Sequence, residues 1–283
     1  MQFGFIGLGN MGGVIARNIL RAGEKVKVFD LNVQRAEEFV ADGAVVAHDR
    51  NELADCDVLC TSLAMPQHVT GTVLGEDGLY AKMKAGAIHV EFSTIDPGTA
   101  NQMAEAAHAK GIAYIQSTVG KTPQMAAKCE EPLFIGGDRE AIDKLMPLFS
   151  KIGQPRDVNT VNASCAVKLL SNLIGMSNLA VLAEGMRIGA LAGMEPHKLI
   201  ELLQDTGARS FQLDVRGPWI ADGDYAARFG VNLTAKDLRL GCAMARDWGY
   251  EPKMIEQAYA YYTQASEAGM GMEDSCAVYK ITK

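Results

Sequence analysis

The first half of the chain alternates short apolar runs with amphipathic stretches. The apolar runs have the length of buried strands, and apolar residues recur at helical spacing between them. The predicted strands are 3–6, 26–30, 58–63, 87–92, 113–118 and 133–137. The predicted helices are 11–22, 32–42, 67–74, 98–110 and 139–152. This alternation predicts an α/β domain whose mostly parallel sheet has helices on both faces.

The pattern changes after Gly153-Gln154-Pro155, where strand signals give way to long helical periodicity. We place a domain boundary near 160, between an α/β domain of residues 1–160 and an all-helical domain of residues 161–283 that opens with a long interdomain helix. The predicted helices of the second domain are 163–193, 196–205, 211–222, 233–248 and 252–268, followed by a short terminal helix.

The long helix of the second domain is apolar enough to be tested as a membrane span. Its longest stretch without a charge, Leu169 to Ala183, includes two serines and two asparagines. It is also shorter than the roughly 20 residues that cross a bilayer. The sequence therefore predicts a buried helix of a globular domain and no membrane partner.

A glycine motif stands between the first predicted strand and the first predicted helix. Gly7, Gly9 and Gly12 form the pattern G-x-G-x-x-G, with Leu8, Asn10 and Met11 between them. The first glycine permits a tight turn, the second lets a pyrophosphate approach the backbone, and the third lets helix and strand pack closely. The positive end of the helix then favours the anionic pyrophosphate. The motif predicts a dinucleotide-binding Rossmann domain.

Asp30 ends the second predicted strand, where its carboxylate can accept hydrogen bonds from both ribose hydroxyls of the adenosine. The same charge would repel the 2′-phosphate of NADP, so we expect NAD as the cofactor. Two alternatives stay open. Asp30 could only cap the following helix, and Arg35 nearby could accept a phosphate.

Lys168 is the candidate acid/base. It is the one charge on its face of an apolar helix, and loss of water would lower the pKa of its ammonium toward neutrality. Asn172 follows four residues later on the same helical face and could bind the same substrate. The alternative is that Lys168 extends to the surface and Asn172 bonds a neighbouring helix.

Composition and charge narrow the class of protein. The net charge is −7 and no Lys/Arg cluster occurs, so we expect a small-molecule partner and no nucleic acid. The six cysteines have no metal or disulfide spacing and are predicted to be reduced core thiols. The five scattered histidines predict no metal site. A strand pattern begins at once, without a basic signal region, so we expect a cytoplasmic protein.

Four ordered motifs carry a resemblance over essentially the whole chain. They are Phe5-Ile6-Gly7-Leu8-Gly9-Asn10-Met11-Gly12, Glu91-Phe92-Ser93-Thr94-Ile95-Asp96-Pro97, Lys168-Leu169-Leu170-Ser171-Asn172 and Ala235-Lys236-Asp237-Leu238. With them the chain resembles the β-hydroxyacid dehydrogenase family. The resemblance implies that Lys168 is the acid/base and that Asn172 holds substrate. It also implies that Leu63 and Thr94 line the cofactor cleft and that Lys236 reaches the cofactor.

The chain departs from the family pattern at the substrate loop. Where the family has D-x-P-V-S-G-G, residues 116–122 read Gln-Ser-Thr-Val-Gly-Lys-Thr, so Gly120, Lys121 and Thr122 replace the residues that commonly hold a carboxylate. This loop resembles the sulfolactaldehyde reductase branch, in which it grips a sulfonate. Lys121 predicts an anionic substrate of either kind. Asn162 and Ser164 also replace glycines, which leaves the loop geometry there open.

The sequence thus predicts an NAD-dependent reductase of a small acidic semialdehyde, which also oxidises the matching 3-hydroxyacid. The alternative is an NAD(H)-binding regulator without turnover. Ser171 in place of a histidine disfavours a 6-phosphogluconate dehydrogenase, and Lys168 disfavours an imine reductase. Ser210 and Asn232 are weaker substrate candidates. The apolar helical domain predicts a homodimer or homotetramer.

Overall fold

An eight-stranded sheet forms the first half of the computed structural model, which describes residues 1–282. Its strands are β1 (Gln2–Ile6), β2 (Lys25–Phe29), β3 (Val45–Val46), β4 (Val58–Thr61), β5 (Ile88–Glu91), β6 (Ala113–Val119), β7 (Pro132–Gly137) and β8 (Gln154–Asn159). Their order is β3-β2-β1-β4-β5-β6-β7-β8, and every neighbouring pair is parallel except β6 and β7. The order reverses direction between β1 and β4, the place where open α/β sheets bind ligands.

Six helices accompany the sheet. They are α1 (Gly12–Arg21), α2 (Val33–Glu37), α3 (Pro66–Val73), α4 (Pro97–His108), α5 (Pro123–Ala126) and α6 (Arg139–Ile152). Successive residues of a strand point to opposite faces, so Phe3, Phe5 and Val58 join one buried apolar cluster while Ile6 and Leu59 join another. The predicted Rossmann architecture, followed by a helical domain, is confirmed.

The helical half contains five further helices. They are α7 (Val161–Leu191), α8 (Pro196–Gln204), α9 (Phe211–Asp222), α10 (Val231–Asp247) and α11 (Lys253–Ala265). The chain divides into two compact units after Lys168, inside α7, so the first unit is Met1–Lys168 and the second begins at Leu169. The predicted boundary near 160 lies at the start of this helix.

Helix α7 has two different faces within the second unit. Leu173, Met176, Leu179 and Met186 are buried in the core of this unit. A second set of apolar side chains on the same helix is exposed: Leu170, Ile174, Val181, Ile188 and Leu191. The prediction of a buried helix is therefore wrong for this second face. By length and hydropathy alone the helix could also cross a membrane.

Two strands escaped prediction. The strand pattern breaks at Gly153-Gln154-Pro155, yet Gln154–Asn159 form β8. Among residues 1–282 this strand pairs only with β7, and proline is tolerated at such an edge position. Strand β3 has only two residues, too few to give a period. The predicted helix 32–42 is also shorter, because α2 ends at Glu37 and a 3₁₀ turn follows.

Candidate functional site

The glycine motif forms the turn between β1 and α1, and its three glycines face different surroundings. Gly7 has a φ of +93°, and a Cβ there would lie 2.3 Å from the Ser62 carbonyl oxygen. A Cβ on Gly12 would lie 2.1 Å from the Gly7 carbonyl oxygen. A Cβ on Gly9 would meet nothing within 4 Å. Gly7 and Gly12 are thus required by packing, whereas Gly9 leaves open space beside the loop.

Asp30 follows β2 and holds the glycine loop in place. Its Oδ2 accepts a hydrogen bond from the Leu8 backbone N–H at 2.7 Å, and its Oδ1 accepts one from the Asn32 N–H at 2.8 Å. The Arg35 guanidinium lies 3.9 Å from Oδ2. Asn32, not Asp30, is the residue that caps α2, because its side chain accepts from the Arg35 N–H.

Leu63 and Thr94 lie in the loops that follow β4 and β5. A Cβ on Gly7 would come within 2.8 Å of Leu63 Cδ2, so the loop after β4 packs directly on the glycine loop. The Leu63 backbone N–H donates to Ser93 Oγ at 2.7 Å, which joins the two loops. These two residues and the glycine motif therefore lie together at the carboxyl ends of the parallel strands.

Behind these loops lies a buried polar network that the sequence analysis missed. Thr61, His89 and Glu91 are fully buried on β4 and β5, and Tyr80 closes the network from a 3₁₀ turn at Leu79–Ala81. Burial raises the pKa of Glu91 to about 7 and lowers the pKa of His89 to about 3. Alternation along β5 puts His89 and Glu91 on one face, the only sequence signal that could have joined them.

The predicted substrate loop leaves the end of β6. A Cβ on Gly120 would lie 2.6 Å from Pro132 Cγ, so glycine is needed there. Lys121 is exposed, has a φ of +59°, and its Nζ donates to the Glu130 carbonyl oxygen at 3.3 Å. Thr122 is the N-terminal cap of α5. An exposed ammonium is available here to an anionic group.

Ser164 settles the loop geometry that the departures from the family pattern left open. Its Oγ donates to the Phe134 carbonyl oxygen at 2.6 Å, and it accepts from the Thr118 N–H at 3.3 Å. Thr118 Oγ1 in turn donates to the Ser164 carbonyl oxygen at 2.8 Å. Thr118 stands where the family pattern has proline, which lacks this N–H. The two departures thus compensate each other and fix the start of α7 to β6 and β7.

Lys168 is the last residue of the first unit. Its side chain is half-buried, on a helix whose neighbouring Cys165 and Leu169 are fully buried. Asn172 follows on α7 in the second unit. The spacing of four residues is what predicts a shared helical face for the two side chains.

In the second unit, Asn172 and Lys236 meet at one carboxylate. Asn172 Nδ2 donates to Asp237 Oδ2 at 2.5 Å, and Lys236 Nζ lies 2.7 Å from Asp237 Oδ1. Asp237 is almost completely buried and was not among the predicted site residues, although it stands in the Ala235–Leu238 motif. The structure therefore brings Asn172 and Lys236 together through a residue that the sequence analysis overlooked.

The two weaker substrate candidates have local structural bonds. Ser210 caps α9, and its hydroxyl accepts from the Leu213 N–H at 3.2 Å. Asn232 Oδ1 accepts from Ser266 Oγ at 2.6 Å. Neither bond involves Asn172 or Lys236. Among residues 1–282 no group of three or more His, Cys, Asp or Glu residues could hold a metal ion.

The first unit fits a dinucleotide. The open space at Gly9, the close packing at Gly7 and Gly12, and the carboxylate of Asp30 beside the loop are the features that such a cofactor needs. The residues that would hold it are the glycine loop, Asp30, Leu63 and Thr94.

Comparison with known proteins gives the same result. The family model described as the NAD binding domain of 6-phosphogluconate dehydrogenase matches residues 2–167. The model described as the NAD-binding of NADP-dependent 3-hydroxyisobutyrate dehydrogenase matches residues 163–282. Both halves therefore match families of NAD(P)-binding proteins, and the chain binds NAD(P).

Similar proteins cover nearly the whole chain. The NAD-dependent L-serine dehydrogenase of Pseudomonas aeruginosa is 33% identical over 99% of this chain and 97% of its own length. The 2-(hydroxymethyl)glutarate dehydrogenase of Eubacterium barkeri is 30% identical over 99% of this chain and 94% of its own length. A crystal structure of 3-hydroxyisobutyrate dehydrogenase from Salmonella typhimurium superposes with a TM-score of 0.91, at 29% identity, covering 99% of both chains.

Proposed function

Because the chain belongs to the β-hydroxyacid dehydrogenase family, a family of NAD(P)-dependent hydroxyacid dehydrogenases, we propose that it reduces a small anionic semialdehyde to the 3-hydroxyacid and catalyses the reverse oxidation. The observation that carries the proposal is the conjunction of a dinucleotide-shaped glycine loop with Lys168 on α7. Relatives act on L-serine, 2-(hydroxymethyl)glutarate and 3-hydroxyisobutyrate by their names, and all three carry a hydroxyl and a carboxylate.

The proposed chemistry assigns proton transfer to the chain. Reduced nicotinamide, when bound, would supply the hydride for the carbonyl carbon of the substrate. The Lys168 ammonium donates a proton to the carbonyl oxygen, which becomes the hydroxyl of the product. In the oxidative direction the neutral Lys168 amine removes the hydroxyl proton. Asn172 is proposed to orient the same oxygen by hydrogen bonding.

We propose that the anion of the substrate binds at Gly120, Lys121 and Thr122. The exposed Lys121 ammonium supports the proposal that the substrate carries an anionic head group. The chemical identity of that anion is a separate point. A sulfonate, as in sulfolactaldehyde, is one candidate and a carboxylate the other. Ser210 and Asn232 remain secondary candidates, since local bonds already occupy their side chains.

We propose NAD in preference to NADP. The support is the Asp30 carboxylate beside the glycine loop, whose charge opposes a 2′-phosphate. The relative described as an NAD-dependent L-serine dehydrogenase agrees with this choice.

A substrate panel tests the proposed function. Sulfolactaldehyde, tartronate semialdehyde and the semialdehyde of 3-hydroxyisobutyrate would each be assayed with NADH and NADPH, with glyceraldehyde as an uncharged control. The expected result is turnover of an anionic aldehyde with a kcat/KM well above that of glyceraldehyde. NADH binding without turnover of any anionic aldehyde would instead favour an NAD(H)-binding regulator. Absence of NADH binding would contradict both functions.

We also propose a cytoplasmic homodimer or homotetramer. Support comes from the exposed apolar face of α7, where Leu170, Ile174, Val181 and Ile188 recur at helical spacing. Light scattering after size exclusion should give a multiple of the protomer mass, and Val181→Asp with Ile188→Asp should lower it. Sedimentation of the native protein with membranes would contradict the proposal and favour a membrane-bound α7.

A further inference from the structure

Four buried side chains of the first unit form one hydrogen-bonded chain. Tyr80 Oη lies 2.5 Å from His89 Nδ1, and His89 Nε2 lies 2.7 Å from Thr61 Oγ1. Thr61 Oγ1 lies 2.5 Å from Glu91 Oε2. All of these side chains are less than one-twentieth exposed, so no bulk water can replace a missing partner.

An ionised Glu91 fixes the direction of every bond in this chain. A carboxylate only accepts, so Thr61 must donate its single hydroxyl proton to Glu91. Thr61 must then accept from His89, which places the imidazole proton on Nε2. The unprotonated Nδ1 accepts from Tyr80 in turn. Because burial lowers the pKa of His89 to about 3, this ring stays neutral near physiological pH.

The same carboxylate reaches the loops beside the glycine motif. Glu91 Oε1 accepts from the Ser93 backbone N–H at 2.6 Å, and Ser93 Oγ accepts from the Leu63 N–H at 2.7 Å. Leu63 packs against Gly7, where a Cβ would come within 2.8 Å of it. Glu91 therefore connects through Ser93 and Leu63 to the turn that is expected to receive the pyrophosphate.

We propose that Glu91 is a positioning residue for the dinucleotide site, whose ionised carboxylate holds Ser93 and Leu63 against the glycine loop and sets the tautomer of His89. This inference rests on the proposed function, which gives NADH as the ligand. The hydrogen bonds of the network give the physical cause. Protonation of Glu91 weakens the hold, because a neutral carboxyl accepts hydrogen bonds less strongly than a carboxylate.

Of the titratable groups in this network and facing it, Glu91 is the one whose charge changes near neutral pH. The others are His89 on β5, Tyr80 on the 3₁₀ turn, Tyr114 on β6, Cys60 on β4 and Cys165 on α7. Burial raises the pKa of both tyrosines and both cysteines well above neutrality. Burial also raises the pKa of Glu91 to about 7. Acidification through this range therefore neutralises Glu91 while its neighbours stay uncharged.

The variant Glu91→Gln should reverse the donor–acceptor direction of every hydrogen bond from position 91 through Thr61 and His89 to Tyr80. Its carbonyl oxygen must face the Ser93 N–H, which places the amide NH₂ group against Thr61. Thr61 then accepts from the amide and donates to His89 Nε2, so the imidazole proton moves to Nδ1. Each bond keeps a donor and an acceptor, and only the direction changes.

The first test reads the tautomer of His89 by ¹⁵N NMR of the histidine rings, with the signal assigned by its loss in His89→Asn. At pH 8 the wild type should carry the proton on Nε2, and Glu91→Gln should carry it on Nδ1. In wild-type protein at pH 5.5, the His89 ring should shift toward the Nδ1–H tautomer. This comparison tests the network even if Glu91→Gln does not fold. An unchanged tautomer in both comparisons would overturn the proposed network.

The second test measures the Kd for NADH by fluorescence between pH 5.5 and pH 8.5. For the wild type, the Kd should rise about tenfold as pH falls, the size expected when charge-assisted hydrogen bonds become neutral ones. Glu91→Gln should bind weakly at every pH, and Glu91→Asp should recover part of the pH dependence. If Glu91 had only a structural role, Glu91→Gln would lower the melting temperature and keep the wild-type pH profile of the Kd for NADH.

Glu131→Gln is the matched control. Burial also raises the pKa of Glu131 to about 7, but its carboxylate makes no hydrogen bond to another residue within the described part of the chain. This variant should keep the wild-type Kd profile. A wild type that binds NADH with the same profile as Glu91→Gln would overturn the role of Glu91 alone. A wild type that binds no NADH at pH 8 would overturn the proposed function as well.

Discussion

Asn172 donates a hydrogen bond of 2.5 Å to Asp237, and the same carboxylate lies 2.7 Å from the Lys236 ammonium. Two side chains to which the family resemblance assigns different tasks, holding substrate and reaching the cofactor, thus share one nearly buried anion. Their orientations are coupled, because neither can leave Asp237 without removing a partner from a buried charge.

Asp237→Asn should destabilise the protein and misplace both neighbours. Its side chain keeps one acceptor oxygen, for which the Asn172 amide and the Lys236 ammonium must compete. We expect the free energy of unfolding, measured in urea, to fall by about 3 kcal/mol, the size typical of breaking a buried ion pair. The double variant Asp237→Leu with Lys236→Met should recover much of this loss. Unfolding of Asp237→Asn at the wild-type urea concentration would contradict the coupling.

The sequence could predict what depends on local spacing. The alternating apolar runs, the glycine motif with Asp30 and the periodicity of α7 are local patterns. They predict most of the strands, the helices and the cofactor loop. The buried network could not be predicted, because Tyr80, His89 and Glu91 meet Thr61 only after the strands pair. The same holds for Ser164 and Thr118, whose replacements look unrelated until the structure joins them.

Replacing Lys168 by alanine tests the proposed acid/base. We expect kcat to fall by about 10² to 10⁴, the usual contribution of a positioned proton donor. The Kd for NADH should stay within about threefold of the wild type, since the glycine loop is untouched. Asn172→Ala serves as the comparison, with a smaller fall in kcat and a raised KM. Full turnover by Lys168→Ala would remove the proposed proton donor.

Two glycine variants should separate packing from cofactor binding. Gly9→Ala adds a methyl group that meets nothing within 4 Å, so its melting temperature should match the wild type while the Kd for NADH rises at least about tenfold. Gly12→Ala would place its Cβ 2.1 Å from the Gly7 carbonyl oxygen, so it should unfold at lower temperature as well. Unchanged NADH binding by Gly9→Ala would contradict the placement of the pyrophosphate.

Asp30→Asn tests the preference for NAD. The variant removes the charge that opposes a 2′-phosphate and leaves Arg35 without its nearby carboxylate. We expect the ratio of kcat/KM for NADH to that for NADPH to fall about tenfold or more. Arg35→Gln is the opposite control and should leave NADPH poorly used. A wild type that already prefers NADPH would rule out the proposed role of Asp30.

Glu91 should also make stability depend on pH, in a direction opposite to its proposed benefit for binding. Burial raises the pKa of Glu91 from 4.5 to about 7, so between these values the unfolded chain has released the proton that the folded protein retains. Raising the pH through this window therefore favours unfolding, and the stabilising effect is lost above pH 7. The shift corresponds to at most about 3 kcal/mol.

Glu91→Gln isolates this contribution because it cannot ionise. The free energy of unfolding of the variant minus that of the wild type should increase from pH 4.5 to pH 8, and Glu131→Gln should show the same sign. Of these two variants, only Glu91→Gln should weaken NADH binding, because Glu91 and not Glu131 is bonded to Ser93 and Thr61. A stability difference that stays constant with pH would mean that Glu91 ionises at its ordinary pKa. The ionised Glu91 carboxylate is thus proposed to favour NADH binding while it lowers the stability of the fold. Such an exchange of stability for function is common at active sites.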